Sequence, residues 1–158
     1  MIDLTPFEKA LNTLDEIILR YEKEKHDNAI RDAVIQRFEY TYSLSIKMLT
    51  RFLQSQAIDL PDTLTFNETI RKANQMGLLL SDLEKWTDYR QKRNLTSHTH
   101  EETIANSVIG VVYDFQKDAK YRFYKKNHSP IFARRQNLSL WLKNKRNIQK
   151  IFRYRYCT

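Results

Sequence analysis

Apolar residues recur at three- and four-residue steps along most of this chain, which is the spacing of helices with one buried face. The first such stretch follows Thr5-Pro-Phe-Glu8, a capping box with proline at the first helical position. After a charged break at residues 23–27, a longer stretch runs from a cap at Asn28 to about Gln56. The pattern therefore predicts that the chain opens with two long helices.

Further helices are predicted beyond a proline-containing loop at residues 57–64. A capping box at Thr65 opens a short helix that ends at Gly77, and another at Ser81 opens the next helix. The last helix covers residues 101–127. Since the chain has only two glycines and three prolines, it has little material for the tight turns of a sheet. We predict an all-α bundle of four principal helices and one short helix.

The second helix carries more apolar surface than one intramolecular contact needs. Tyr40, Tyr42 and Leu44 lie beside its apolar stripe and widen it. This surplus predicts a subunit interface, and hence a homodimer.

The charge of the chain is concentrated at one end. Lys and Arg number 27 against 19 Asp and Glu, a net charge of +8 at pH 7. Residues 128–158 contain no acidic residue and eight basic ones, which are Arg134, Arg135, Lys143, Lys145, Arg146, Lys150, Arg153 and Arg155. Residues 1–127 are therefore balanced, as in an ordinary soluble domain. We predict two parts, a helical bundle at 1–127 and a basic amphipathic tail at 128–158.

The tail keeps apolar residues at helical spacing after Ser129-Pro130, with basic residues between them. A basic amphipathic helix suits a phosphate backbone, an anionic membrane surface or an acidic partner. A final helix that caps the bundle and exposes a solvated basic face fits the same pattern. The sequence leaves these interpretations open.

Cysteine use and hydropathy indicate the compartment. Cys157 is the single cysteine, so no internal disulfide forms. No apolar run reaches the length of a membrane span, and the N-terminus lacks a basic region followed by an apolar one. We expect a cytoplasmic protein.

Candidate chemistry is concentrated in Arg93-Asn-Leu-Thr-Ser-His98. A permanently charged guanidinium, an amide and an imidazole that titrates near neutrality suit a phosphodiester site. On one continuous helix, Arg93 and His98 would point about 140° apart, so both reach one phosphate only if the helix bends or ends between them, or if two subunits contribute. Thr96 and Ser97 favour such an ending. Taken alone, the hexapeptide also fits a solvated basic helix end.

A metal cluster is another interpretation of the same region. His98 and His100 lie near Glu101 and Glu102, but two histidines at i, i+2 without cysteine are poor ligand spacing. Two glycines cannot build a phosphate-binding loop either. We therefore expect neither a metal nor a cofactor.

Three segments together resemble the minimal HEPN family, specifically its branch of nucleotidyltransferase substrate-binding proteins, which is similar to HepT-type toxins. They are Arg31-Asp-Ala-Val-Ile-Gln-Arg-Phe-Glu-Tyr-Thr-Tyr42, Trp86 and the hexapeptide from Arg93. The family motif is an Arg, a polar residue, three more residues and a His, which Arg93, Asn94 and His98 match in type and spacing. The resemblance covers roughly residues 1–127.

The resemblance implies an up-and-down four-helix bundle that homodimerises with its two motif copies facing each other across a cleft. It also implies a partner protein of the nucleotidyltransferase fold, as in toxin–antitoxin pairs. For the substrate-binding branch it implies nucleotide or substrate binding, which we expect to involve Arg93 and His98 with the flanking Arg90 and His100.

The resemblance also implies an alternative function, a metal-independent endoribonuclease like the active members of the family. By that analogy His98 acts as general acid or base, Arg93 stabilises charge on the phosphoryl group and Asn94 orients one of them. HepT-type toxins that are silenced by adenylylation carry Tyr two residues after the motif His, where this chain has His100. Silencing at that position is therefore not implied.

Overall fold

The computed structural model describes residues 2–56, 63–98 and 101–127, and for His98 and residues 122–127 it describes the backbone alone. Within these residues the structure has five α-helices and no strand. The helices are α1 Thr5–Lys23, α2 Asn28–Gln56, α3 Phe66–Gln75, α4 Leu83–Asn94 and α5 Glu102–Asn127, with a 3₁₀ turn at Thr96–His98 between the last two. The all-α prediction is confirmed, and α3 is the extra short helix.

Acidic side chains precede the first two helices and bind their first backbone amides. The Asp3 carboxylate accepts a hydrogen bond from the Thr5 N–H at 2.9 Å. The Asp27 carboxylate accepts from the Ala29 N–H at 2.8 Å. The predicted caps at Thr5 and Asn28 are therefore wrong, and both residues lie inside the helix. A carboxylate carries a full negative charge, so at the positive end of a helix dipole it is a stronger acceptor than the hydroxyl of Thr5 or the amide of Asn28.

The predicted capping box of α3 is confirmed. The Thr65 hydroxyl accepts from the Glu68 N–H at 3.3 Å, and the Glu68 carboxylate accepts from the Thr65 N–H at 2.8 Å. Gly77 follows the helix with a φ of 64°, a conformation that glycine adopts without steric cost. For α4 the cap is Asp82, which accepts from the Lys85 N–H at 3.1 Å, and not the predicted Ser81.

An aromatic cluster joins α2, α4 and α5 at the centre of the core. Phe115 of α5 lies between rings of the other two helices, with centroid distances of 5.2 Å to Phe38, 5.9 Å to Tyr42, 6.1 Å to Trp86 and 5.6 Å to Tyr89. Most of these contacts are edge-to-face, the arrangement that the ring quadrupoles favour. The cluster fixes α4, which carries the candidate motif.

Polar contacts add to this packing. Asp118 of α5 is 1% exposed, and its carboxylate accepts from the Tyr89 hydroxyl at 2.7 Å and from the Ser81 N–H at 2.9 Å. Each oxygen of the carboxylate thus accepts a hydrogen bond, as a buried carboxylate requires. On another side of α5, Lys120 forms a salt bridge of 2.7 Å with Asp15 of α1. Helix α5 is therefore bound to α1 and to α4.

The apolar surplus predicted for α2 is smaller in the structure. Tyr42 is 5% exposed and belongs to the core, and Leu44 is half-buried against it, whereas Tyr40 is 55% exposed. The prediction that Tyr42 adds to an exposed apolar surface is therefore wrong, because α4 and α5 cover its side of α2. Of these three residues, Tyr40 is the exposed one.

The chain divides into two units between residues 123 and 124. The first unit holds the helical bundle described above, except for the last turn of α5. The predicted boundary between residues 127 and 128 stays a prediction, and the basic tail at 128–158 lies outside the described residues. In the part of the chain that the structure describes, no helix has the length and apolar character of a membrane span.

Candidate phosphate-binding site at the end of helix α4

Helix α4 ends within the candidate motif. Its last residue is Asn94, and the 3₁₀ turn Thr96–His98 follows after Leu95. The Thr96 hydroxyl donates to the Arg93 carbonyl at 2.8 Å, which satisfies one of the carbonyls that the helix end leaves unpaired. The predicted helix ending between Arg93 and His98 is confirmed.

Arg93 forms a salt bridge with α2. Its Nη2 lies 3.4 Å from a carboxylate oxygen of Glu39, and the two side chains are 39% and 41% exposed. The Nε of Arg93 is buried and has no hydrogen-bond partner among the residues that the structure describes. Glu39 therefore holds one edge of the guanidinium through a single contact, and the other donors of Arg93 remain for a further acceptor.

Tyr42 lies one turn along α2 from Glu39, on the same side of the helix. Its hydroxyl is buried and, like the Nε of Arg93, has no hydrogen-bond partner in the described part of the chain. Burial raises the pKa of the Tyr42 phenol well above its usual value, and the positive charges of Arg90 and Arg93 oppose that rise. The hydroxyl is therefore a protonated donor in the field of both guanidiniums.

Arg90, predicted to bind substrate, lies on the exposed side of α4. Its guanidinium stacks on the Phe66 ring of α3, 4.7 Å from the ring centroid. This contact orients the side chain. The N–H groups lie in the plane of the guanidinium, so their edges remain available to an anion. Asn94 is exposed at the end of the same helix.

The charges of Arg90 and Arg93 thus both act on the Tyr42 hydroxyl, and Asn94 is next to Arg93 in the chain. The His98 side chain and all of His100 lie outside the described residues. Sequence reasoning missed Glu39 and Tyr42 as members of this site. One signal was present, because Glu39 is the only acidic residue between residues 33 and 56, on a helix with several basic ones.

An open groove of about 980 Å³ runs along the first two turns of α4. Asp82, Lys85, Asp88 and Gln91 are among its lining residues, and the motif residues are not. The groove carries both signs of charge on an exposed helix face, so we assign it no role in the candidate site.

Residues 2–127 match the family described as "Nucleotidyltransferase substrate binding protein like". The match covers most of the chain, which therefore belongs to this family. It includes all five helices and the Arg93–Glu39 salt bridge.

Individual relatives agree with that assignment. The chain is 30% identical over 130 residues to a protein of Haemophilus influenzae named "Probable ribonuclease HepT", with 76% of this chain and 88% of the relative covered. A solved structure from the same species, described as revealing the fold of a substrate binding domain of a nucleotidyltransferase, has a TM-score of 0.69 and 29% identity. That likeness covers 76% of this chain and 96% of the solved one. The chain is thus related to HepT, and its fold is that of the solved domain.

Proposed function

We propose that this chain is a nucleotide- or substrate-binding subunit that pairs with a minimal nucleotidyltransferase, in a pair of the toxin–antitoxin type. The family description and the description of the solved relative both support this kind of role. The observation that carries the proposal is Arg93, half-exposed at the end of α4 and held by one contact to Glu39. Its remaining donors suit the oxygens of a phosphate group.

In this proposal Arg93 and Arg90 supply permanent charge to the phosphate, and His98 and His100 add donors from the segment that follows α4. Asn94 supplies an amide at the helix end. Since both arginines belong to α4, and the aromatic cluster holds that helix, they are positioned before the ligand arrives.

The second candidate function is a metal-independent endoribonuclease. The named relative, a probable ribonuclease HepT that is 30% identical, favours it. In this function His98 acts as general acid or base on the 2′-hydroxyl or the leaving oxygen. Arg93 stabilises the charge of the phosphoryl group and Asn94 orients one of them. A homodimer with its two motif copies across a cleft belongs to both proposed functions, and light scattering that shows a monomer at micromolar concentration would contradict it.

One experiment separates the two functions. The pure chain is incubated with labelled RNA in EDTA, beside His98→Gln and Arg93→Lys, and ATP binding is measured calorimetrically on the same samples. An endoribonuclease loses cleavage in His98→Gln while ATP affinity changes little, since the imidazole moves a proton. A binding subunit cleaves no RNA between about pH 5 and 8, where an imidazole titrates, and both variants bind ATP more weakly.

Matched controls exist in the same chain. His26→Gln changes an exposed histidine in the turn between α1 and α2, and Arg20→Lys changes an exposed arginine paired with Glu24. Neither should alter binding or cleavage. A wild-type chain that neither binds ATP nor binds or cleaves RNA would refute both functions.

A further inference from the structure

Within the part of the chain that the structure describes, the Tyr42 hydroxyl makes no contact that explains it. The ring packs against Phe38, Trp86 and Phe115, at centroid distances of 6.1, 6.4 and 5.9 Å, and these contacts need only a phenyl group. The hydroxyl is buried without a hydrogen-bond partner among the described residues, which opposes folding. Phenylalanine would fill the same space without that cost, so the hydroxyl calls for a partner that those residues do not supply.

The surroundings of the hydroxyl indicate what that partner is. The Nε of Arg93 is also buried and finds no partner among the described residues, and both groups are hydrogen-bond donors. The charges of Arg90 and Arg93 both act on the Tyr42 hydroxyl. Two unsatisfied donors in the field of two guanidiniums require an acceptor, and a negatively charged acceptor is favoured there.

We propose that Tyr42 is a ligand-contacting residue of this site, whose hydroxyl donates a hydrogen bond to a phosphate oxygen held by Arg93 and Arg90. This inference rests on the proposed function and adds to it a residue outside the sequence motif. The phosphate belongs to a nucleotide or to an RNA backbone.

Glu39 controls access to these donors. It lies one turn from Tyr42 on the same side of α2 and occupies Arg93 through a single 3.4 Å contact. Because both side chains are well exposed, this salt bridge contributes little to stability and opens at little cost. An entering phosphate therefore takes the place of the Glu39 carboxylate at Arg93 and accepts from the Tyr42 hydroxyl, one turn of α2 away from Glu39.

Tyr42→Phe tests the proposal, with Tyr89→Phe as the matched control. Both tyrosines are buried in the same aromatic cluster, but the Tyr89 hydroxyl donates to Asp118 at 2.7 Å. Each variant is titrated with ATP and with a short single-stranded RNA in EDTA, and its Tm is measured. Tyr42→Phe should keep or raise the Tm and weaken phosphate binding about tenfold or more, as expected for a lost hydrogen bond to a charged acceptor. Tyr89→Phe should lower the Tm and bind as the wild type does.

The two ligands identify the source of the phosphate. Weakening with ATP alone assigns it to a nucleotide, and weakening with RNA alone assigns it to a nucleic-acid backbone. If the wild type binds either ligand and Tyr42→Phe binds it equally well, the inference is wrong while the proposed function stands. If the wild type binds neither ligand, the proposed function fails together with the inference. A Tyr42→Phe chain with unchanged affinity but an altered oligomeric state assigns the acceptor to a second copy of the chain, which also overturns the proposal.

Discussion

The Arg93 guanidinium and the Glu39 carboxylate lie 3.4 Å apart and connect two of the segments on which the family resemblance of this sequence is based. Glu39 belongs to the Arg31–Tyr42 stretch of α2, and Arg93 opens the hexapeptide at the end of α4. The two segments are more than fifty residues apart in the chain. In the folded chain this salt bridge brings the two segments together.

The first prediction concerns this acid. Glu39→Gln keeps the size of the side chain and removes a negative charge that competes with the ligand for Arg93. We expect ATP affinity to rise roughly threefold to tenfold at low salt, since the pair is solvent-exposed and its Coulomb energy is reduced accordingly. Calorimetric titration at two salt concentrations measures the effect, and the gain should shrink as salt increases.

Glu24→Gln is the control for the loss of one negative charge. Glu24 is exposed and pairs with Arg20 at the end of α1. This variant should leave ATP affinity unchanged. If Glu39→Gln instead weakens binding, the carboxylate orients Arg93 for the ligand and does not compete with it.

A second prediction concerns the two glycines. Gly77 has a φ of 64°, so Gly77→Ala should destabilise the bundle by about 1 kcal/mol. Gly110 lies at an exposed position inside α5, and a β-carbon added there would meet no atom of another described segment within 4 Å. Gly110→Ala should therefore stabilise the chain by about 0.5–1 kcal/mol. Urea unfolding measures both changes. A loss of stability in Gly110→Ala that depends on protein concentration would mean that a second copy packs there.

Periodicity predicted the helices of this chain well. The bounds of α1, α2 and α5 agree with the sequence pattern to within one or two residues, because each has a continuous apolar stripe. The caps were harder to predict. The predicted cap of α4 was Ser81, whereas Asp82 caps the helix. The Ser81 N–H binds Asp118 of another helix, a contact that the local sequence does not reveal.

The site was predictable only in part, for a related reason. Arg93, Asn94 and the helix ending are local features, and the sequence indicated all of them. Tyr42 was read as surface because it lies beside the stripe of α2, whereas Phe115 of α5 and Trp86 of α4 cover it. The apolar stripe of one helix does not predict which other helix packs on a given face, because that depends on the tertiary structure.

A third prediction concerns the tail. If the eight basic residues of residues 128–158 contact nucleic acid, deleting residues 130–158 should flatten the salt dependence of RNA binding. Each contact with a single-strand phosphate contributes a slope of roughly 0.7. Binding of a short RNA to the full chain and to the shortened chain, measured over a range of salt concentrations, gives the two slopes. Equal slopes would favour the interpretation of the tail as a helix with a solvated basic face.

The last prediction concerns alkaline pH. Burial raises the pKa of Tyr42, and burial together with the hydrogen bond to Asp118 raises that of Tyr89, both from an ordinary value of 10.0. Below that pH the two phenols are protonated in both the folded and the unfolded chain, so they contribute nothing to the pH dependence of stability. Above it the unfolded chain releases these protons and the folded chain keeps them, so the free energy of unfolding falls by up to about 1.4 kcal/mol per pH unit for each phenol.

Urea unfolding between about pH 9 and 11 measures the slope, and Tyr42→Phe should make it shallower. Absorbance of tyrosinate in the folded chain gives an independent reading, since two of the nine tyrosines should ionise only when the chain unfolds. Ionisation of all nine near their ordinary pKa in a chain that is still folded would contradict the burial of both phenols.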